Sequence, residues 1–170
     1  MSRPPLLVVF VAVLVITLGE LGGAALSQLR PATARFATAR IAANAPAHGL
    51  TGAAEYDDAV REGAVFRAEA GLSFFHLHAE GMGLVLFFAS TLVASLVRSP
   101  AVRRVLYALL TGGALFPLGY LGYSLAVLEL GRDDGIAFAE TWLLTPLGSA
   151  AIVGLLGLAV ALARWPAPGR

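Results

Sequence analysis

The sequence predicts an all-α membrane protein, a single polytopic domain (residues 1–170) built as a four-helix transmembrane bundle. Three observations predict this fold. Hydrophobic residues make up 58% of the chain and charged residues 14%, whereas an ordinary soluble domain carries roughly 25% charged residues. Four apolar runs approach the roughly 20 residues that cross a hydrocarbon core of about 30 Å. Acidic residues are confined to one side of such a bundle.

The four predicted spans, TM1 to TM4, are separated by one long insertion and two short connections. They cover residues 6–26, 72–97, 105–128 and 136–163. Residues 30–71, between TM1 and TM2, are rich in alanine, arginine and acidic residues and predict a helical extracytoplasmic insertion. We call this insertion the cap. It is longer than a connection needs to be, which suggests that it covers a site.

Charge placement predicts the orientation in the membrane. Arginine in short loops is retained in the cytoplasm. With both termini cytoplasmic, all eleven acidic residues lie on or near the outer side. The expected location is the inner (plasma) membrane of a prokaryote, with the lipid bilayer and further copies or a larger membrane complex as partners. The arginines on the cytoplasmic side are then Arg3, Arg98, Arg103, Arg104, Arg164 and Arg170.

Composition excludes several classes of chemistry. The chain has no cysteine, so disulfides, thiolate-bound zinc, iron–sulfur clusters and thiol catalysis are excluded. Its basic residues never form a dense patch, so nucleic acid is not an expected partner. No serine triad, phosphate loop or catalytic carboxylate pair is recognised. The catalytic residues are therefore unknown, and the chain is not expected to be an enzyme on its own.

TM1 has two interpretations. Arg3 and the apolar run after it resemble a signal peptide, and small residues follow at Gly22 and Gly23. Against cleavage within residues 1–25, the apolar run resumes after Glu20, and Gly19 and Gly23 have the small-xxx-small spacing of close helix contacts. We favour a retained helix, and cleavage stays open.

TM2 carries the candidate site, formed by His76, His78 and Glu80. An ionisable side chain at the centre of a span costs about 2.5 to 3.5 kcal/mol, so such residues usually face a bundle interior and have a function. His76 and Glu80 lie one turn apart on one face and are candidate metal ligands. His78 is rotated by roughly 200 degrees from His76 and faces the opposite flank. Either the helix separates two sites, or one histidine binds and the other makes a structural hydrogen bond.

Other polar residues are expected at a similar depth, in the outer half of the bundle. Their alternative roles are interfacial anchoring for the tyrosines and contact with the membrane surface for Glu20. His48, in a proline- and glycine-rich loop of the cap, is either solvated or a lid residue. In TM3, Pro117 is expected to kink the helix. The candidate supporting residues are Glu20, Tyr120, Tyr123, Glu140 and Thr141.

The motif His76-Leu77-His78, followed by Gly83, resembles the histidine-bearing helices of the catalytic subunit of haem-copper oxidases and of small related membrane proteins. The resemblance covers about one helix. In such helices the two imidazoles face different centres, and the likeness implies haem or another metal centre near His76 and His78. Oxygen reduction is not implied, because this chain has fewer spans and no further membrane histidines to complete a copper site.

Three functions are consistent with these patterns. The first is a membrane protein that binds haem b or a copper-type metal ion on His76, helped by Glu80, for electron transfer or sensing. The second is a non-catalytic scaffold or accessory subunit of a membrane complex. The third is a transport or insertion factor that receives a small solute, ion or lipid at its outer face.

Overall fold

The structure is a computed structural model that describes residues 3–164, and this part of the chain is helical and contains no strand. The all-α class is therefore confirmed for these residues. A π-helical turn at Glu140–Leu144 joins the last two helices. The helices are α1 (Leu6–Ser27), α2 (Arg30–Ala43), α3 (Ala54–Leu96), α4 (Pro100–Ala114), α5 (Pro117–Leu130), α6 (Arg132–Ala139) and α7 (Thr145–Ala163).

Four helical stretches in the described part of the chain are long and apolar enough to cross a membrane. They are Leu6–Ser27, Ala54–Leu96, Pro100–Leu130 and Arg132–Ala163. Three of them contain a predicted span, and Ala54–Leu96 covers all of TM2 except residue 97, so the number and order of apolar helices agree with the sequence. The observed bounds differ from the predicted ones mainly where a helix continues into the cap or into a turn.

Helix α3 joins the second part of the cap to the second candidate span without a break. It has 43 residues and no proline, and Glu55 and Asp57 in its first turn complement the positive end of the helix. At about 1.5 Å per residue the helix is roughly twice as long as a bilayer core is thick. The boundary predicted between the cap and TM2, at residues 71 and 72, therefore does not separate two elements. It lies within one continuous helix.

The third candidate span is interrupted at Leu115 and Phe116, between α4 and α5. Pro117 begins α5 and is buried. Because proline has no amide hydrogen and its ring clashes with the preceding turn, it favours an interruption of the helix at this position. The kink predicted at Pro117 is confirmed, and it takes the form of a break between two helices.

The turn between α5 and α6 is tighter than the sequence suggested. Gly131 adopts a left-handed backbone with φ of 79°, and its Cα packs against the carbonyl oxygen of Ala47 so closely that a side chain would collide with it. Helix α6 then starts at Arg132, four residues before the predicted start of TM4. Asp133 and Asp134 occupy its first turn, where the helix dipole favours negative charge.

Helix α1 packs along α3 through small residues. A Cβ atom added at Gly19 would lie 2.9 Å from Cβ of Ala79, and one at Gly22 would lie 2.9 Å from the ring of Phe75. Gly83 on α3 faces Ile16 and the backbone of α1 in the same way. The close contact predicted from the spacing of small residues is confirmed.

The two ends of the molecule have different cores. The cap end comprises the cap, the C-terminal end of α5 and helix α6, and it has its own buried cluster of Ala37, Ile41, Ala64, Ala68 and Leu128. The arginine end comprises residues 96–104 and the C-terminal end of α7. Its core joins α1, α3, α4 and α7 through Val8, Ala12, Leu86, Ala89, Val93, Leu106, Leu110, Ala114 and Leu158.

Candidate functional site

His76 lies at the edge of the contact between α1 and α3. Its Nδ1 atom is 3.0 Å from the carbonyl oxygen of Gly19 and 3.1 Å from Oε1 of Glu80. Both oxygens are acceptors, so Nδ1 carries the proton and donates. The imidazole thus links two helices. It also contacts the carboxylate of Glu80 one turn away, as the spacing of the two residues predicts.

The backbone of α1 fits against the imidazole because position 23 is glycine. A Cβ atom at Gly23 would lie 2.8 Å from Cε1 of His76 and 3.0 Å from each ring nitrogen. The side chain of His76 is 27% exposed and that of Glu80 is 37% exposed. The pair therefore lies at the rim of a helix interface and not in a sealed interior.

His78 faces the other flank of α3. Its Nδ1 atom donates to the carbonyl oxygen of Phe74 one turn earlier, at 2.8 Å. Its ring lies 4.9 Å from that of Tyr120 and 5.7 Å from that of Phe116, measured between centroids. The two imidazoles therefore contact different helices, which agrees with the 200 degree rotation.

The other supporting residues do not gather around His76. Glu20, Glu140 and Thr141 are exposed, and within residues 3–164 none of them makes a hydrogen bond or ion pair with His76. Tyr120 packs on His78, and Tyr123 packs beside Gly71 at the contact of α3 with α5. The similar depth expected for these residues does not bring them together around His76 in the described part of the chain. Depth along a helix predicts the level of a residue but not the direction in which it points.

The described residues contain no group of three or more histidine, cysteine or acidic side chains that could hold a metal ion. His76 and Glu80 supply two candidate ligands at most. A neutral imidazole that donates from Nδ1 has its lone pair on Nε2, which is what an axial haem histidine requires. The haem and metal hypotheses remain predictions.

His48 is not a lid over His76. Its Nε2 atom lies 3.0 Å from the carbonyl oxygen of Leu128, so it holds the 44–53 loop against the end of α5. Beside it, Nε of Arg40 donates to Oε1 of Glu129 at 2.6 Å, and Nδ2 of Asn44 donates to Oε2 of the same carboxylate at 3.1 Å. These contacts attach the cap to α5.

A second set of contacts fixes the far side of the same loop. Asp57, which is buried, accepts hydrogen bonds from the backbone amides of Thr51 at 2.8 Å and Gly52 at 2.9 Å. Asp57 lies in the first turn of α3, well ahead of the apolar part of this helix that was predicted as TM2. The amide of Thr51 is the main reason that the pKa of this carboxyl group lies below its usual range, with Gly52 and Arg61 adding to it against the opposing effect of desolvation.

The largest cavity that we describe opens at the cap end, between the 44–53 loop, the first half of α3 and the α5–α6 turn. Its volume is about 770 Å³, within the roughly 300 to 1,000 Å³ of ligand pockets. Ala64 and Val127 lie at its apolar floor, and Tyr56 stands at its side. We call it the cap cleft. Its ionisable lining residues are His48, Tyr56, Arg67, Arg132, Asp133 and Asp134.

Arg67 is the distinctive group of the cap cleft. The residue is partly buried, and its guanidinium lies along α3 over Gly63, where an added Cβ atom would be 3.3 Å from Nη1. Within residues 3–164 it makes no hydrogen bond or ion pair. Arg132, by contrast, is exposed and lies 3.6 Å from the carboxylate of its neighbour Asp133. A guanidinium that lines a cleft and has no partner among the described residues is available to an anionic ligand.

Comparison with known proteins gives no match to this chain: no family model, no curated protein and no solved structure is significantly similar to it.

Sequence reasoning missed the cap cleft and Arg67. The signals present in the sequence were the length of the cap and the glycines at 63 and 131, which allow a side chain and a loop to approach the backbone closely. Neither signal points to Arg67 on its own, because the cleft forms only when the 44–53 loop packs on α5.

Proposed function

We propose that this chain is a multi-pass membrane protein that binds a small anionic solute in the cap cleft. Its four long apolar helices support insertion in a membrane, and the arginines at the opposite end support an orientation with the cap outside. The cap cleft then opens to the extracytoplasmic space. This is the third of the functions considered from the sequence, restricted to binding.

The observation that carries this proposal is the unpaired guanidinium of Arg67 in a cleft of about 770 Å³. A guanidinium presents a rigid fork of donors that matches the two oxygens of a carboxylate or a phosphate. Two carboxylates also line the cleft, and both are exposed: the side chain of Asp133 is 94% exposed, and Asp134 lies next to it. Water therefore screens their charges, which offset that of Arg67 only weakly. The cleft therefore favours an anion.

The cleft has a closed floor, which favours binding over passage through the membrane. Ala64 lines the cleft and also belongs to the buried cluster of the cap end, together with Ala68 and Leu128. Beyond it, Gly71 packs directly against Tyr123 and Ser124. A solute in the cleft meets packed helices and no continuing path.

The test uses the purified full-length protein in detergent and follows its thermal unfolding. A ligand that binds only the folded state raises the midpoint by mass action. The probes are acetate, succinate, inorganic phosphate and sulfate, each titrated at pH 7 and constant ionic strength. We expect at least one probe to raise the midpoint saturably in the wild type and to lose that effect in Arg67→Met.

The matched control is Arg35→Met, which removes an exposed arginine of the cap that does not line the cleft. It should keep the full response. If no probe raises the midpoint of the wild type more than that of Arg67→Met, anion binding at Arg67 is excluded. An equal loss in both variants would show that the response follows net charge and not this site.

A second candidate function is a haem or metal centre at His76, and one observation favours it. Nδ1 of His76 faces the oxygens of Gly19 and Glu80, so the neutral form of the ring that donates there would offer Nε2 to a metal or haem. Since one chain offers few ligands, a second copy would have to supply another. The visible spectrum and metal content of the purified protein test it: absorbance lost in His76→Ala and kept in His48→Ala would support this centre.

A further inference from the structure

The arginines and aspartates that line the cap cleft add up to no net charge. They are Arg67, Arg132, Asp133 and Asp134. Nε of Arg132 lies 3.6 Å from the carboxylate of Asp133, so these two charges offset each other. Neither Arg67 nor Asp134 makes a hydrogen bond or ion pair within residues 3–164. The cleft therefore keeps one cation and one anion available to a ligand.

Helices α3 and α5 run antiparallel beside the cleft, and a contact between them fixes their relative level. Oγ of Ser124 donates to the carbonyl oxygen of Ala68 at 2.9 Å. Val127 lies about one turn closer to the cap than Ser124, and Ala64 lies one turn closer to the cap than Ala68. Ala64 and Val127 are therefore at a similar level, and together they form the apolar floor of the cleft.

The two unpaired charges lie near this level, on two different walls. The guanidinium of Arg67 extends back along α3 over Gly63, as helical side chains lean toward the N-terminus of their helix. On α6, Gly135 packs on the backbone of Val127, since an added Cβ atom would lie 2.7 Å from its Cα. Asp134 directly precedes Gly135 and lines the cleft. A cation on α3 and an anion on α6 thus border one apolar floor without pairing with each other.

This arrangement favours a ligand that carries both charges. A simple anion on Arg67 would leave the carboxylate of Asp134 without a partner. A molecule with a carboxylate and an ammonium group satisfies both side chains, and its carbon chain lies over Ala64 and Val127. The guanidinium fork matches two carboxylate oxygens, and an exposed carboxylate gains modestly from a cation in direct contact.

We propose that the cap cleft binds a zwitterionic aliphatic amino acid, with its carboxylate on Arg67 and its ammonium group on Asp134. This inference rests on the function proposed for the cap cleft, because it needs the same anionic group at Arg67. It adds a cationic group on the same ligand, and it assigns Asp134 as the residue that distinguishes an amino acid from a carboxylic acid.

The experiment compares each amino acid with the carboxylic acid of the same chain length. The purified full-length protein in detergent is titrated calorimetrically at pH 7 and constant ionic strength. The pairs are glycine with acetate, β-alanine with propionate, γ-aminobutyrate with butyrate, and δ-aminovalerate with valerate. For at least one chain length, the amino acid should bind roughly two- to fivefold more tightly than its carboxylic acid, which is the effect of an exposed ion pair.

Asp134→Asn should abolish this preference. The affinity for the carboxylic acid should stay the same or rise, because a negative charge near the bound carboxylate is removed. The matched control is Glu55→Gln, which also removes an exposed acidic residue from the first turn of a helix but lies outside the cleft lining. It should keep the preference. Unfolding midpoints without ligand check that both variants fold, and Asp134→Ser replaces Asp134→Asn if the latter unfolds.

The outcomes separate this inference from the function on which it rests. If the wild type binds every carboxylic acid as tightly as its amino acid, the ammonium contact is excluded and anion binding at Arg67 stands. A preference that survives in Asp134→Asn, or is lost equally in Glu55→Gln, would also overturn the role of Asp134. If the wild type binds neither kind of ligand, the function proposed for the cap cleft fails as well.

Discussion

Arg67 and His76 lie on the same helix, yet their surroundings differ. His76 is placed against the backbone of α1, where Gly19 and Glu80 satisfy its protonated nitrogen. Arg67 faces an open cleft and has no partner within the described residues. The sequence draws attention to His76, because a polar group in an apolar helix is costly. The structure shows that a neighbouring helix can offset this cost with one carbonyl oxygen.

The difference teaches which observations identify a binding site in such a protein. A polar residue in an apolar helix needs a hydrogen-bond partner, and that partner is often on another helix. A ligand site needs two further features. One is a polar or charged group without a protein partner, and the other is a cavity beside that group. Arg67 has both. His76 has its Nδ1 satisfied by Gly19 and Glu80, and it lines none of the cavities described here.

The largest expected effect concerns the close packing of α1 on α3 at Gly83, which holds together the two helices that His76 links. Gly83→Ala places a methyl group against Ile16 and the backbone oxygen of Ala12, and overpacking of this kind costs about 1 to 3 kcal/mol. The thermal unfolding midpoint in detergent should fall accordingly. Gly81→Ala, where an added Cβ meets nothing within 4 Å, is the control and should leave the midpoint unchanged or raised. Similar losses in both variants would contradict the close packing of α1 on α3.

The next effect concerns His76 as a link between helices. His76→Phe removes the hydrogen bond to Gly19, and such bonds contribute about 0.6 kcal/mol on average and at most about 1.7. We expect a loss of that size in chemical or thermal unfolding. His78→Phe is the control, since His78 donates only to a carbonyl of its own helix. A much larger loss in His76→Phe, together with loss of visible absorbance, would favour the haem hypothesis.

A smaller effect concerns the loop that forms one wall of the cap cleft. The pKa of Asp57 is lower in the folded protein than in the unfolded chain, mainly because the Thr51 amide bonds the carboxylate. Its contribution to stability is therefore present above about pH 4 and is lost as the pH falls through the folded pKa. Asp57→Asn should remove that acid dependence, measured by proteolysis of the 44–53 loop across pH 2 to about 5. An unchanged pH profile would show that Asp57 does not hold the loop.

The smallest expected effect is that of Arg67→Met on the protein without ligand. The guanidinium has no partner to lose among residues 3–164, so the change in stability should stay within about 0.5 kcal/mol. A slight gain in stability would also agree with this account, because the substitution removes a charged residue that is partly buried. Unfolding in detergent measures it, with Arg40→Met as the contrasting variant that breaks the pair with Glu129. A loss for Arg67→Met as large as that for Arg40→Met would show that Arg67 is already paired.

Composition and hydrophobic runs predicted the fold well. The four apolar helices, the helical cap and the break at Pro117 follow from local properties, namely apolar length, helix propensity and the missing amide of proline. The opposite directions of His76 and His78 follow from helical periodicity alone. These features can be predicted without knowing which helices contact each other.

The candidate site was predicted less well, because it depends on how helices are arranged. The depth of Glu20, Glu140 and Thr141 was inferred from their distance to a helix end, but all three are exposed. The role of His48 depends on the 44–53 loop meeting Leu128, which is 80 residues away in sequence. The cap cleft requires Gly131 and Ala47 to approach closely, and no local pattern encodes that contact.

The most direct test of the contrast between Arg67 and His76 is a calorimetric titration of wild type, Arg67→Met and His76→Phe with one anion. The anion is the probe that raises the unfolding midpoint of the wild type most. We expect His76→Phe to bind it like the wild type and Arg67→Met to bind it at least roughly tenfold more weakly, as loss of a hydrogen bond to a charged group implies. Undiminished binding by Arg67→Met, or loss of binding in His76→Phe alone, would contradict the assignment of the site to the cap cleft.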